Sequence, residues 1–169
     1  MYHILLKEFL EITKLLNKIK ITPALMGSVG LEYATDESWN PNDLDIHVPG
    51  NPLGWEAPDE DRIYNFEEIE RVMEAVGYSL INKHEHEFKK DTISVEFGCI
   101  DTLPEFAGVP LNELKKETID GAEFFILSPN QFLKLYEASA KDGYRNDNNN
   151  SKDFEKIEFL KQHIRSVDS

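Results

Sequence analysis

The chain has 169 residues, 40% of them hydrophobic, with ten Phe, six Tyr and two Trp, enough apolar material for one folded domain with a real core. Its 32 acidic residues outnumber 18 basic ones, a formal charge of −14. That surface repels polyanions, so DNA, RNA and anionic membranes are disfavoured as principal partners, while a small polycation would be attracted. A single cysteine, Cys99, excludes an internal disulfide or a multi-thiolate zinc site and is expected as a buried structural thiol.

Leu5, Phe9, Ile12, Leu16 and Ile19 recur at helical spacing, predicting an amphipathic helix over about 3–19. Lys7, Glu8 and Glu11 interrupt any signal-peptide layout, and no apolar run reaches the ~20 residues needed to span a bilayer. The expected location is therefore cytoplasmic, with no membrane partner. Thr22-Pro23 breaks the first helix. Residues 23–26 read as a short buried strand, 28–33 as a helical turn, and 35–42 as a loop. Leu44, Ile46 and Val48 then alternate with Asp43, Asp45 and His47, which predicts a strand.

Residues 49–61 hold three prolines and several acids, the composition of an irregular connection. Phe66, Ile69, Val72, Met73 and Val76 mark a helix ended by Gly77. From Tyr78 the period changes, giving an antiparallel pair that ends in 92–100, and Phe124–Leu127 is a further short strand. His84-Glu85-His86-Glu87 alternates near the expected hairpin tip and is assigned to the surface, since further metal ligands of convincing spacing are lacking. Ser128-Pro129-Asn130-Gln131 is a helix start with N-cap, first-turn proline and capping-box glutamine. That helix is expected to reach about Lys141, followed by a polar loop over 142–150. A closing helix carries Phe154, Ile157, Leu160 and Ile164 on one side.

The resulting expectation is an α+β fold, a small mixed β-sheet flanked by helices with a C-terminal helical extension. One domain is expected over 1–169, with its core at about 3–127 and the closing helices at about 128–166.

Chemistry concentrates in two places. Ala24-Leu25-Met26-Gly27-Ser28 is a strand running into a Gly-Ser turn, whose backbone N–H groups suit a phosphate. Asp43 and Asp45 alternate on an apolar strand, so both carboxylates share one face at a spacing that suits a divalent cation. Four other acid pairs two residues apart lie in loops, in helices where i and i+2 diverge, or near the hairpin tip. Alone, an acid pair is a weak signal; its apolar strand and the upstream turn separate this one. The plain alternative is a wet face of an edge strand, but aligned acids without a counter-charge repel. Glu96, between Val95 and Phe97, must likewise face solvent, a cation or a basic partner. His47 shares the face of the two aspartates, though a histidine at a strand end is more often a simple polar terminus.

Gly27-Ser28, Asp43-Leu44-Asp45-Ile46 and Val95-Glu96-Phe97 resemble the three signatures of the nucleotidyltransferase superfamily with the polymerase-beta-like fold. The resemblance covers about residues 3–100. Ser128-Pro129, Lys134, Arg145 and Lys152-Asp153 are similar to the tail of small antibiotic-modifying and toxin-type members. It implies a metal-dependent enzyme that moves a nucleoside monophosphate from an NTP to an acceptor hydroxyl and releases pyrophosphate. The acceptor would be a small, cationic, aminoglycoside-like molecule or a protein. Asp43, Asp45 and Glu96 would be the catalytic and metal-holding acids, binding two Mg²⁺ ions with the NTP. Gly27, Ser28 and Lys134 would bind the nucleotide, and His47 and Asp153 are accessory candidates. Two further readings are a catalytically silent binding module of the same fold, and a toxin or phage-defence component acting on a macromolecule.

Overall fold

The computed structural model describes residues 2–141 and 143–168, with the side chains of 2–141 and 154–166. Helix α1 (Tyr2–Lys18) leads into β1 (Ala24–Met26), α2 (Gly27–Thr35) and β2 (Asp43–Val48). A short 3₁₀ turn at Gly54–Glu56 and α3 (Asp59–Arg62) follow, then α4 (Phe66–Ala75). Next come β3 (Ser79–Asn82), β4 (Glu87–Lys90), β5 (Ile93–Cys99), α5 (Leu103–Ala107), β6 (Lys115–Ile119) and β7 (Ala122–Ile126). Helices α6 (Pro129–Lys141) and α7 (Gly143–Asp168) complete the chain.

All seven strands join one sheet in the order β3-β4-β5-β2-β1-β7-β6. β2 pairs parallel with β5 and β1 parallel with β7, while the other neighbours are antiparallel. This is the mixed sheet expected of the α+β class.

The alternation along each strand sorts the two faces. Leu25, Leu44, Ile46, Val48, Val95 and Phe97 point to a core completed by Leu5, Phe9, Ile12 and Leu16 of α1 and Ile69 and Met73 of α4. These apolar residues lie on one stripe of each helix, so burial on the sheet, more than local propensity, holds the helices in place. On the opposite face Ala24 and Met26 of β1 and Leu127 pack with Leu103, Phe132, Tyr136, Ile157 and Leu160 from α5, α6 and α7. The C-terminal helices thus cover the β1 half of that face. The β2-β5-β4 half carries the acids.

The capping box at α6 forms in both directions. The Ser128 N–H donates to Gln131 Oε1 at 2.8 Å, and the Gln131 N–H donates to Ser128 Oγ at 3.2 Å. Three local expectations are corrected. β6 went unrecognised because Lys115–Ile119 is a mostly exposed edge strand whose charged residues erase the apolar alternation. The stretch after Lys141, expected as a loop from its Asn and Asp content, belongs to α7 from Gly143 onward; the weak penalty these residues carry in a helix is overridden. Residue 142 itself lies outside the described residues. His86, expected on the surface, is buried at 3% exposure with its ring edge-on to Phe66. Cys99 is free and buried, as expected. Among the described residues no helix is long and apolar enough to cross a membrane.

Candidate functional site

The register of three strands builds the site. Asp45 on β2 lies directly opposite Glu96 on β5, and Glu96 lies opposite Glu87 on β4. Paired residues share a face, so Asp45, Glu96 and Glu87 form one row across the sheet. One step along, Asp43, Ser94 and Lys89 form a second row on the same face. Ser94 Oγ donates to Glu87 Oε2 at 2.6 Å, tying the two rows together. Lys89 is the one basic residue in these rows.

Crowding of like charge shows in the proton affinities. Desolvation by the surrounding sheet, followed by repulsion from Asp45, Glu85, Glu87 and Asp43, pushes the Glu96 carboxyl up to about 7. Burial, with Glu87 and Asp45 adding to it, also raises Asp43. Ionising the whole group is therefore costly without a cation, and its donors are hard carboxylate oxygens of the kind Mg²⁺ accepts. Among the described residues no three His, Cys, Asp or Glu side chains form a group that could hold a metal as placed. Clasping one ion would take side-chain rotation on the fixed backbone.

The Gly-Ser turn adjoins this acid face. Met26, the last residue of β1, pairs with Asp45. Gly27 follows at φ +64°, and a Cβ there would stand 2.9 Å from the Asp45 Cβ. Only glycine permits both the left-handed backbone and the close approach. α2 starts at Gly27 with no side-chain cap, which leaves the first-turn N–H groups without partners from their own helix. Ser28 Oγ accepts from Lys156 Nζ at 3.2 Å. Lys156 comes from α7 and sits over the Tyr136 ring at 5.0 Å and the Trp39 ring at 6.0 Å. A cation from the far end of the chain is thereby held at the turn that precedes the acids.

His47 lies on the same face as Asp45, with Nε2 at 3.3 Å from Asp45 Oδ1. Its ring rests over Gly98, its partner on β5, where a Cβ would come within 2.6 Å of Nε2. Nδ1 is buried and unpartnered among the described residues. The imidazole thus packs beside the Asp45 carboxylate and limits its room to move.

Asp43, Asp45, Glu96, His47, Gly27 and Ser28 are thus brought together. Lys134 is not. It is exposed on the outer side of α6, lining a shallow cavity with Phe106, Glu137 and Lys141, two positions from the Tyr136 that faces Lys156. The Asp153 side chain lies outside the described residues. Sequence reasoning missed Glu87 and Lys156. Glu87 was legible in principle, because it alternates with the buried Phe88 as Glu96 does with Phe97; Lys156 was not, because only tertiary packing brings α7 to the turn.

No family model matches the chain. A search of curated proteins finds the uncharacterized protein YnaI of Bacillus subtilis (strain 168), 37% identical over 163 residues, spanning 96% of this chain and 99% of that protein. The chain belongs to the YnaI family. Among solved structures, it is similar to the antibiotic-resistance factor ANT(2'')-Ia, with a TM-score of 0.60 at 14% identity, covering 99% of this chain and 94% of that one. It is also similar to an antigenic nucleotidyltransferase-like protein from Paracoccidioides brasiliensis, with a TM-score of 0.56 at 15% identity, covering 92% and 75% respectively. This member of the YnaI family therefore has the nucleotidyltransferase fold. At such identities the likeness speaks for fold, and the chemistry must be argued from the side chains described above.

Proposed function

We propose that this YnaI-family protein is a metal-dependent nucleotidyltransferase that transfers a nucleoside monophosphate from an NTP to a hydroxyl of a small cationic acceptor. The observation that carries this reading is the in-register pair Asp45–Glu96, with Asp43 on the same face, next to a glycine turn that presents Ser28 and Lys156.

In this reading Gly27 lets the backbone approach the phosphates, and Ser28 donates its hydroxyl and N–H to them. Lys156 neutralises charge on the terminal phosphates, the part the sequence resemblance had given to Lys134. Asp43 and Asp45 would hold the Mg²⁺ that accompanies the triphosphate, and with Glu96 they would take a second ion. When bound, Mg²⁺ would offset the phosphate charge and lower the pKa of the acceptor hydroxyl. His47 keeps Asp45 oriented. The acceptor oxygen bonds to the α-phosphorus as the bond to pyrophosphate breaks, and the hydroxyl proton passes to a carboxylate of the row. Glu87 and Glu85 extend the negative potential beyond Glu96, which favours a cationic acceptor.

The test is pyrophosphate release from ATP or GTP with a panel of hydroxyl-bearing acceptors, with and without Mg²⁺. Release should require both metal and acceptor, and Asp45→Ala should lower it by about 100-fold or more, as loss of a metal clamp does. A second reading is a silent nucleotide-binding module of the same fold, in which the acids hold no metal. Nucleotide binding by calorimetry with no turnover on any acceptor would select that reading.

A further inference from the structure

Between β2 and α4 the chain keeps three large apolar side chains in water, Leu53, Trp55 and Tyr64. They sit in one short ribbon. Gly50 bridges Ile63 antiparallel, with the Asn51 N–H donating to the Arg62 carbonyl and the Tyr64 N–H to that of Pro49. Ile63 turns into the core, so its neighbour Tyr64 turns outward. Leu53 is two residues from Trp55, and Tyr64 is two residues from the Arg62 on which Trp55 rests, a step of about 7 Å in extended chain.

Trp55 is 65% exposed, yet it is held in place. The Arg62 guanidinium lies 4.2 Å from its ring centroid, and Arg62 is only 5% exposed. Arg62 Nη2 donates to Asp59 Oδ1 at 2.8 Å and to the His84 carbonyl. His84 Nδ1 lies 2.9 Å from the same Asp59 oxygen. Arg62 cannot swing away without leaving a buried charge unpaired. An indole fixed in water has little freedom left to lose on binding, and Trp and Tyr are among the side chains that carry most interface energy.

The ribbon is separate from the acid row. A Cβ at Gly50 would stand 2.9 Å from Cys99 Sγ, and Cys99 lies on the Val95–Phe97 side of β5, opposite Glu96. It carries its own charge. Residues 49–70 contain seven acids and one base, Arg62, which is committed to Asp59. Glu56, Glu60, Asp61, Glu67 and Glu68 are exposed. The same surface on a second copy would be repelled, as would nucleic acid or an anionic membrane.

We propose that Leu53, Trp55 and Tyr64 form a docking surface for a basic segment of a partner protein, with an arginine of that segment seated on the open face of Trp55. The inner face of the same ring already shows the fit, since Arg62 stacks on it while pairing with Asp59. A second guanidinium on the outer face would pair with the exposed acids in the same way. Arginine suits this place better than lysine, because its planar, weakly hydrated head stacks and forks at once. The acids speed encounter and the aromatic rings hold the complex. This surface does not depend on the chemistry proposed above.

Fluorescence anisotropy with labelled peptides of alternating arginine and leucine, or lysine and leucine, tests it on the full chain. The arginine peptide should bind about fivefold or more tightly than the lysine peptide, the scale of one stacked cation. Trp55→Ala should erase that preference, Trp55→Phe should keep most of it, and Tyr64→Ala should weaken the arginine peptide with an unchanged melting temperature. Glu60→Gln with Asp61→Asn should weaken binding more than Glu113→Gln with Glu123→Gln, which remove equal charge on the β6–β7 side of the sheet. Equal binding of the two peptides, or equal losses from the two neutralised pairs, would reduce the effect to bulk charge and overturn the proposal. Loss on Asp45→Asn but not on Trp55→Ala would put the peptide on the acid row instead. Sedimentation showing a dimer that Trp55→Ala dissociates would give the surface to a second copy and also overturn it.

Discussion

Glu96→Gln offers a test that needs no substrate. In the folded protein this carboxyl is raised from an ordinary 4.5 to about 7 by desolvation and by Asp45, Glu85, Glu87 and Asp43. The folded state therefore holds a proton that the unfolded chain releases between those two values. Stability falls as pH rises through that window, and the penalty is complete above about pH 7. A shift of this size would amount to roughly 3 kcal/mol if fully expressed. Glu96 is exposed, however, and solvent screening cuts such terms to about 1 kcal/mol. Glutamine keeps the shape and removes the charge. At pH 8 the variant should therefore be more stable than wild type by about 1 kcal/mol, or about 2–4 °C for a chain of this size. The difference should vanish near pH 4.5. Mg²⁺ added at pH 8 should raise the wild-type melting temperature more than that of the variant. Thermal melts of both proteins at several pH values, with and without the ion, read all three effects. A variant that melts lower than wild type at pH 8, or that keeps the wild-type pH slope, refutes the picture of a crowded acid row.

Lys156→Ala should weaken binding of a non-hydrolysable ATP analogue by about tenfold, the scale of one charge-assisted contact, while Lys134→Ala leaves it within twofold; calorimetry on both decides which lysine serves the turn. Ser28→Ala should cost triphosphate binding more than monophosphate binding, and equal losses would remove the turn from the phosphate site. Gly27→Ala places a side chain at φ +64° and 2.9 Å from the Asp45 Cβ; it should destabilise by about 1 kcal/mol or more, and an unchanged melting temperature would show that the turn yields freely. Gly98→Ala drives a methyl into the His47 ring, so the His47 imidazole NMR signals should depart from wild type, and unaltered signals would mean that His47 does not rest there.

What could be read from the chain followed the range of each interaction. The alternation of Leu44, Ile46 and Val48 against Asp43, Asp45 and His47 is a property of six consecutive residues, and it survives folding intact. The same holds for α1 and for the Ser128–Gln131 cap. Register is different. That Asp45 meets Glu96, and Glu96 meets Glu87, depends on how three separated strands slide against one another, and one residue of slip would turn the acids to the other face. By sequence the Glu87 segment resembles a solvated hairpin tip, whereas β4 is an interior strand of the sheet, paired on both sides. Spacing puts Phe154 on the apolar side of the last helix, yet it is 50% exposed. Periodicity locates an apolar stripe without fixing its margins.

The division of one sheet face explains why these residues can coexist. Over β1, the C-terminal helices bury Met26 and Ala24 among Phe132, Tyr136 and Leu160. Over β2, β5 and β4, the same face carries Asp43, Asp45, Glu96 and Glu87, whose mutual repulsion would expel a packed helix. Ser28 and Lys156 lie at the boundary, where a lysine stem packs on Tyr136 and Trp39 with its ammonium at the turn. In the proposed reading, a nucleotide bound across that boundary would have its triphosphate end at Lys156 and its α-phosphate over the acids. A cationic second molecule would then find negative charge on the far side. A basic side chain thus stands at the turn and the acids beyond it. Reversing the charge at the turn, as in Lys156→Glu, should abolish binding of a non-hydrolysable ATP analogue by calorimetry while leaving the wild-type melting temperature; retained binding would mean that the turn does not take the triphosphate.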